Sequence, residues 1–449
     1  MINLLELKHS VIRQLSEHWK NVDFEAITKD KKRFVTYKFK IEQTQLSNLL
    51  GHVIHRPLNY FKSKDGKKEI LGIGSHITYT KKYDYNKLLG LIEQHEDLIF
   101  LGAQRFSQST KRDETWTGFD ECHFSLPKLV FETSENQTVL KVIFNKKSLT
   151  SEDKRANALF ELEAYLNFIR HEFAVVNTCS TTTYPEKSHW DKMMKACMDN
   201  LEKTPLEKVV LARKEIIEFD RIVDPMAIFE KNIKNAPDSY HLYLDPGDGK
   251  VFMSFTPEKL FKAKDREISL DCLAGTRPRS NDFELDLKYQ SELTSSPKEL
   301  EEHRIVSREI QEKLSMLGAQ VKIEAPESVL KLKYIQHIHT HIVGTLSEKS
   351  NFAVLLNTLH PTPAVGGRPW VMAKKCIDEI EPFDRGLYAG PMGYISSDSC
   401  EFAVAIRSAL SEETKLHVFG GCGLVTGSDT DSEWLESKNK MKIFEQPTL

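Results

Sequence analysis

Apolar and polar residues alternate with period two in "RFVTYKFKI" (33–41) and "LVFETS" (129–134), as half-buried strands require. The stretch "LIFLGAQRF" (98–106) is apolar over most of its length, whereas "DKRANALFELEAYLNFIRHEF" (153–173) repeats at helical spacing. Residues 1 to about 175 therefore read as an irregular α/β region. The Ser/Thr-rich "NTCSTTTYPEKS" (177–188), with Pro185, reads as a boundary, dividing the chain into 1–180 and 181–449 within one compact fold. Beyond it, helical periodicity in "HWDKMMKACMDNLEK" (189–203) leads into β-branched runs: "KVVLARKEII", "HLYLD", "KVFMSF", "EISLDCLAG", "CEFAVAIRSAL" and "KLHVFGGCG". These alternate with amphipathic helices expected around 282–317 and 370–380. The pattern predicts a mixed α/β (α+β) core without a repeat.

Composition narrows the ligand more than the fold. Apolar residues make up 40% and charged residues 28% of 449, enough for a sizeable core. Lys+Arg of 62 against Asp+Glu of 65 gives a net charge of -3, so no basic excess points to nucleic acid or an anionic membrane, and a small ligand is expected. The N-terminal "MINLLELKHSVIRQLSEHW" carries charges where a signal peptide or a membrane span would be apolar, and a cytoplasmic location is expected. Seven cysteines without a CxxC pair read as reduced thiols, with Cys422 a packing residue.

Candidate chemistry concentrates near the C-terminus, in "GGCGLVTGSDTDSEWLESKNKMKIF" (420–444). Its glycines suit tight turns or close approach of a ligand. Asp429 or Asp431 can cap a following helix, on which Glu433, Glu436 and Lys440 stack along one face. Alone, that face suits a solvated, salt-bridged helix. A phosphate loop is the competing use of the glycines, but the GxxxxGK[ST] pattern and an acidic ribose contact are missing.

Read in order, "EKVVLARK", "SFTPEKLF", "CLAGTRPR", "KELEEHRIV" and the glycine-rich segment, with "YIQHIHTHIVG", "LHPTPAVGGRP", "RGLYAGPMGY" and "AIRSAL", resemble the chorismate-utilising enzymes. The resemblance spans roughly residues 190–445 and is strongest toward the isochorismate synthases. It implies a large fold with β-sheets packed centrally and helices outside, and a soluble isomerase acting on chorismate. By the same resemblance Glu302 and Glu436 bind Mg²⁺, with Glu433 reaching it through a water. Arg407 and Tyr388 would take the enolpyruvyl carboxylate, and Lys440 with the backbone of Gly421 and Gly423 another carboxylate. Ala274, Gly275 and Thr276 would line the substrate, and His337 would lie near the ring and its C4 hydroxyl. Water adding at C2 while the C4 hydroxyl leaves needs a base and an acid, and the resemblance assigns these to Lys208 and Glu258. A lysine acts as a base only when neutral and a glutamate as an acid only when protonated, so the two need separate surroundings.

Two positions favour water over ammonia as nucleophile. Family members that make anthranilate carry glutamine where this chain has Lys208, and aminodeoxychorismate synthases carry lysine at Ala274. No amidotransferase subunit is therefore expected. A salicylate synthase, which also eliminates pyruvate, remains open, as do the choice between menaquinone and catechol siderophore pathways and the oligomeric state. The long N-terminal region leans toward menaquinone. His339 and His341 alternate with His337, yet no cysteine or carboxylate follows at zinc-like spacing, so both read as structural.

Overall fold

Among the described residues, the β-branched and aromatic runs pair in antiparallel ladders that form two sheets, of twelve and nine strands. The computed structural model describes residues 3–29, 32–107, 113–135 and 137–445. Residues on either side of position 180 build both sheets. In the larger one, Leu58–Lys62 pairs with Tyr240–Asp245, and in the smaller one Phe100–Gln104 pairs with Pro391–Ile395. Alternation decides which core each side chain enters. Phe61, Leu242, Phe252, Leu410 and Phe419 point into a core between the sheets. Their neighbours Tyr60, Tyr243, Met253, Ala409 and Val418 point into a second core on the outer face of the larger sheet.

Three expectations give way to tertiary structure. The Ser/Thr-rich segment is the strand Thr178–Tyr184, paired with Lys214–Phe219, because β-branched threonines suit a strand even where it is largely exposed. The helix expected over 153–173 ends at Tyr165, and the chain then lies against Gly51 and His52, with Ile169 N donating to His52 O at 2.8 Å. The helix expected over 282–317 is two, Phe283–Ser295 and Pro297–Met316. Proline cannot donate within a helix, and Ser296 caps the second one through Glu299 N.

The run "CEFAVAIRSAL" is likewise not one strand. Ser399–Val404 belongs to the nine-stranded sheet and Ser408–Glu412 to the twelve-stranded one, and Arg407 between them takes a left-handed φ of 50°. A second crossover runs beside it. Lys250–Thr256 lies in the larger sheet and Lys259–Lys264 in the smaller, with Pro257 and Glu258 between. The two crossovers are tied by Phe255 N to Arg407 O and Val404 N to Glu258 O, each 3.0 Å. Glu258 and Arg407 are thereby fixed in the cleft where the sheets exchange strands.

The strand Lys208–Phe219 needs partners where its short neighbour Gly367–Arg368 stops at Val209. A buried ion pair supplies them. Glu381 Oε1 accepts Ala212 N at 2.8 Å, while Arg385 donates to Val210 O at 2.6 Å and Val365 O at 2.8 Å and pairs with Glu381. Glu381→Ala would strand a buried guanidinium and an amide, so it should cost about 3–5 kcal/mol. Urea unfolding with an unchanged m-value measures this, and a loss below about 1 kcal/mol would show that the strand needs no such clamp.

Candidate active site

Lys208, the first residue of its strand, has no exposed side-chain surface, and its Nζ lies 3.0 Å from Glu302 Oε1. Gly423 faces the pair from the neighbouring strand Lys415–Leu424. A Cβ there would stand 2.1 Å from Glu302 Oε1 and 2.8 Å from Lys208 Cε, so a side chain at this position would displace the pair. The helix Pro297–Met316 presents Glu299 and Glu302 three residues apart on one face. Glu299 accepts Thr276 N at 3.0 Å and pairs with Arg277 at 2.6 Å. Facing it is the helix Thr430–Met441, capped by Asp429, whose Oδ1 accepts Ser432 N at 2.9 Å. Of the two candidate caps, Asp429 is the one used. Along that helix Glu433 pairs with Lys298 and Glu436 with Lys440, both at 2.6 Å, and Lys440 Nζ also donates to Gly421 O at 3.1 Å.

These carboxylates feel one another. Burial, and then the charge of Glu436, raises Glu433 to about 7. Burial, with Glu302 and Glu436, also raises Glu299. Burial pushes Glu436 up as well, but Lys440, Lys298 and Arg407 prevail and hold it below the usual carboxylate range. Glu433 Oε2 is buried without a hydrogen-bond partner. An oxygen-rich patch with an unpartnered buried carboxylate oxygen fits a hard divalent cation, which takes one or two protein carboxylates and completes its shell with water.

At the other end, the crossover residues meet the bulge at Gly275, whose φ is 78°. His337 Nδ1 lies 3.2 Å from Gly275 O and 3.1 Å from Thr276 Oγ1, and its Nε2 accepts from Arg407 Nη2 at 3.0 Å. Burial and the Arg407 charge hold this imidazole neutral, its pKa well below the ordinary histidine value. Arg407 Nε is buried with no partner. Tyr388 stacks on Phe419 at 5.4 Å, with its hydroxyl over Gly421. Glu258 is 2% exposed. Burial raises its carboxyl to about 8, Asp271 adding to the shift and Lys208, Lys440 and Arg407 opposing it. It is therefore protonated at neutral pH, the state of a proton donor.

The backbone of the glycine strand completes the wall. Val210 and Ala212 send their N–H groups away, to Gly366 O and Glu381, so their cross-strand partners Gly423 and Gly421 also turn their polar groups outward. On that side Ser408–Glu412 has already ended, opposite Phe419. The cavity, ≈ 50 Å³, is lined by Glu258, Ala274, Gly275, Thr276, Glu302, His337, Tyr388, Arg407, Gly421, Gly423 and Lys440. Lys208, Glu433 and Glu436 do not line it. Lys208 lies behind Glu302, and the other two are turned to their lysines. Reading the sequence missed Glu299 and Lys298. Glu299 was accessible from its i−3 spacing to Glu302, whereas Lys298 acts through a pairing with Glu433 that no local pattern shows.

A family model described as chorismate binding enzyme matches residues 20–446. The chain is 32% identical over 417 residues to the chloroplastic isochorismate synthase of Catharanthus roseus, covering 89% of this chain and 72% of that one. It is 33% identical over 353 residues to isochorismate synthase MenF of Bacillus subtilis, covering 77% and 73%. Among solved structures, the menaquinone-specific isochorismate synthase MenF of Escherichia coli superposes with a TM-score of 0.85 at 24% identity, covering 98% and 99%.

The raised Glu258 carboxyl is directly measurable. Infrared difference spectra of the parent against Glu258→Gln should show a protonated carboxyl band at pH 7 that fades as pH rises through about 8. A carboxylate already ionised at pH 6 would remove the proton donor from the site.

Proposed function

The chain belongs to the chorismate-binding enzymes, and on that premise we propose that it is an isochorismate synthase, an isomerase converting chorismate to isochorismate. The observation that carries this reading is one cavity lined by Glu302, which pairs with Lys208 behind it, by the protonated Glu258 and by Ala274. An alanine there offers no amine to the ring, which leaves water as the nucleophile.

In this reading Arg407 receives the enolpyruvyl carboxylate through its unpartnered Nε and its Nη2, an arrangement a planar guanidinium supplies and a point charge does not. Tyr388 adds a hydroxyl to the same group, and Lys440 with the outward-facing groups of Gly421 and Gly423 meets the ring carboxylate. With Glu302 given over to the cation, Lys208 would lose its ammonium proton to solvent, and the neutral amine then takes a proton from the water whose oxygen bonds to C2. The ring double bonds shift, the C4–O bond breaks, and Glu258 protonates the departing hydroxyl. Mg²⁺ held by Glu302 and Glu436, with Glu433 through a water, would supply the charge that balances the ring carboxylate. A dry cavity of about 150 Å³ is what benzene occupies. The ≈ 50 Å³ here must therefore widen, and parting of the Lys208–Glu302 and Arg407–His337 contacts provides the space. We place the enzyme in the cytoplasm, without an amidotransferase subunit, and its product in menaquinone synthesis, in keeping with the relatives named MenF. Among the described residues no helix is long and apolar enough to cross a membrane.

Incubation with chorismate and Mg²⁺ followed by chromatography should yield isochorismate. Salicylate with pyruvate would add a lyase step, and anthranilate from ammonia would overturn the choice of water. Glu302→Gln and Glu436→Gln should abolish turnover, and Lys208→Ala should lower kcat by about 10²–10⁴ with chorismate binding retained. Full activity of the glutamine variants in EDTA would contradict the metal assignment.

A further inference from the structure

The alternating histidines of the strand Ile335–Leu346 share a face, but they serve two places. His337 belongs to the cavity wall, whereas His339 and His341 converge on Asp271 of the adjoining strand Glu267–Pro278, where Asp271 stands directly opposite His341. The carboxylate missing from the local sequence is thus supplied across the ladder. His339 Nε2 lies 3.1 Å and His341 Nδ1 2.9 Å from the same oxygen, Asp271 Oδ1, and one ligand atom from each residue falls within 4.8 Å of the others.

We propose that Asp271, His339 and His341 form a binding site for a borderline divalent transition-metal ion, Zn²⁺ or Co²⁺, sharing no residue with the glutamate patch. Metal–ligand bonds of about 2.0–2.2 Å in a tetrahedral site put neighbouring ligand atoms roughly 3.3–3.5 Å apart. Two of the three edges are already within a few tenths of an ångström of that spacing. Two imidazoles and one carboxylate select such ions over Mg²⁺, which prefers oxygen ligands alone. The far nitrogen of each ring also has an oxygen on its side, the usual partner of a metal-bound imidazole: His339 Nδ1 is within hydrogen-bond reach of Ser328 Oγ at 3.4 Å, and His341 Nε2 is just beyond it, 4.0 Å from Glu324 Oε2. Asp271 is buried, while the histidine side chains are 17% and 26% exposed, so an ion has an entry path and room for a water as fourth ligand. Lys64 pairs with Asp271 Oδ2 and leaves Oδ1 to the metal.

The test is calorimetric titration of the metal-free, full-length protein with ZnCl₂ and CoCl₂ in excess Mg²⁺, with the exposed Cys179 replaced by serine to remove adventitious thiol binding. One ion per chain should bind. His339→Ala and His341→Ala should each weaken it by about tenfold or more, Lys64→Ala should strengthen it by removing a competing ammonium, and Glu436→Gln should leave it unchanged. Thermal melts and the gentler His341→Gln keep a folding defect from imitating loss of a ligand. Absence of Zn²⁺ binding in the parent, binding indifferent to both histidine variants, or binding lost in Glu436→Gln would overturn the proposal.

Discussion

An ammonium group with no exposed surface must be matched by an anion, and Lys208 is matched by Glu302 at 3.0 Å. The rest of the site follows from that requirement. The glutamate comes from a helix, so the helix has to be held against the strand that carries the lysine, and glycine at 423 keeps the contact between them free of a side chain that would displace it. Less buried pairs extend the arrangement: Lys298–Glu433 joins the helices Pro297–Met316 and Thr430–Met441, Arg277–Glu299 ties the first to the smaller sheet, and Lys440, paired with Glu436 on its own helix, donates to Gly421 O of the larger sheet. Replacing such pairs with apolar residues often leaves stability unchanged or improved, so their presence is better explained by what they do when a ligand enters. Each carboxylate is kept ionisable beside a cation that it can exchange for another.

Lys208 and Glu258, the proposed base and acid, are kept apart by topology. Lys208 sits at the start of one strand, behind a carboxylate. Glu258 sits in a crossover between sheets, where burial raises its carboxyl to about 8. Arg407 occupies the parallel crossover in a left-handed conformation that costs a non-glycine residue on the order of 1–3 kcal/mol. The hydrogen bonds joining the two crossovers offset that strain and fix the guanidinium against His337.

Much of this was legible in the sequence. The apolar runs marked the strands of both sheets, and the spacing of Glu433, Glu436 and Lys440 placed them on one helical face. What stayed hidden is what depends on distant parts of the chain. A β-branched run cannot show that the backbone changes sheets at Arg407, nor a Ser/Thr-rich stretch that it will find a strand to pair with. The spacing of His337, His339 and His341 was visible, but their partner Asp271 lies on another strand. For the same reason the lysine partners of the glutamates, and the retreat of Lys208 behind Glu302, could only be seen in three dimensions.

The central claim is that this arrangement delivers solvent water to C2 of the ring. Turnover of chorismate in H₂¹⁸O, quenched early and analysed by mass spectrometry, tests it most directly. One ¹⁸O per isochorismate, carried at C2, is the predicted result. Isochorismate formed without solvent label would mean that the hydroxyl migrates within the substrate, and Lys208 would then have no water to activate.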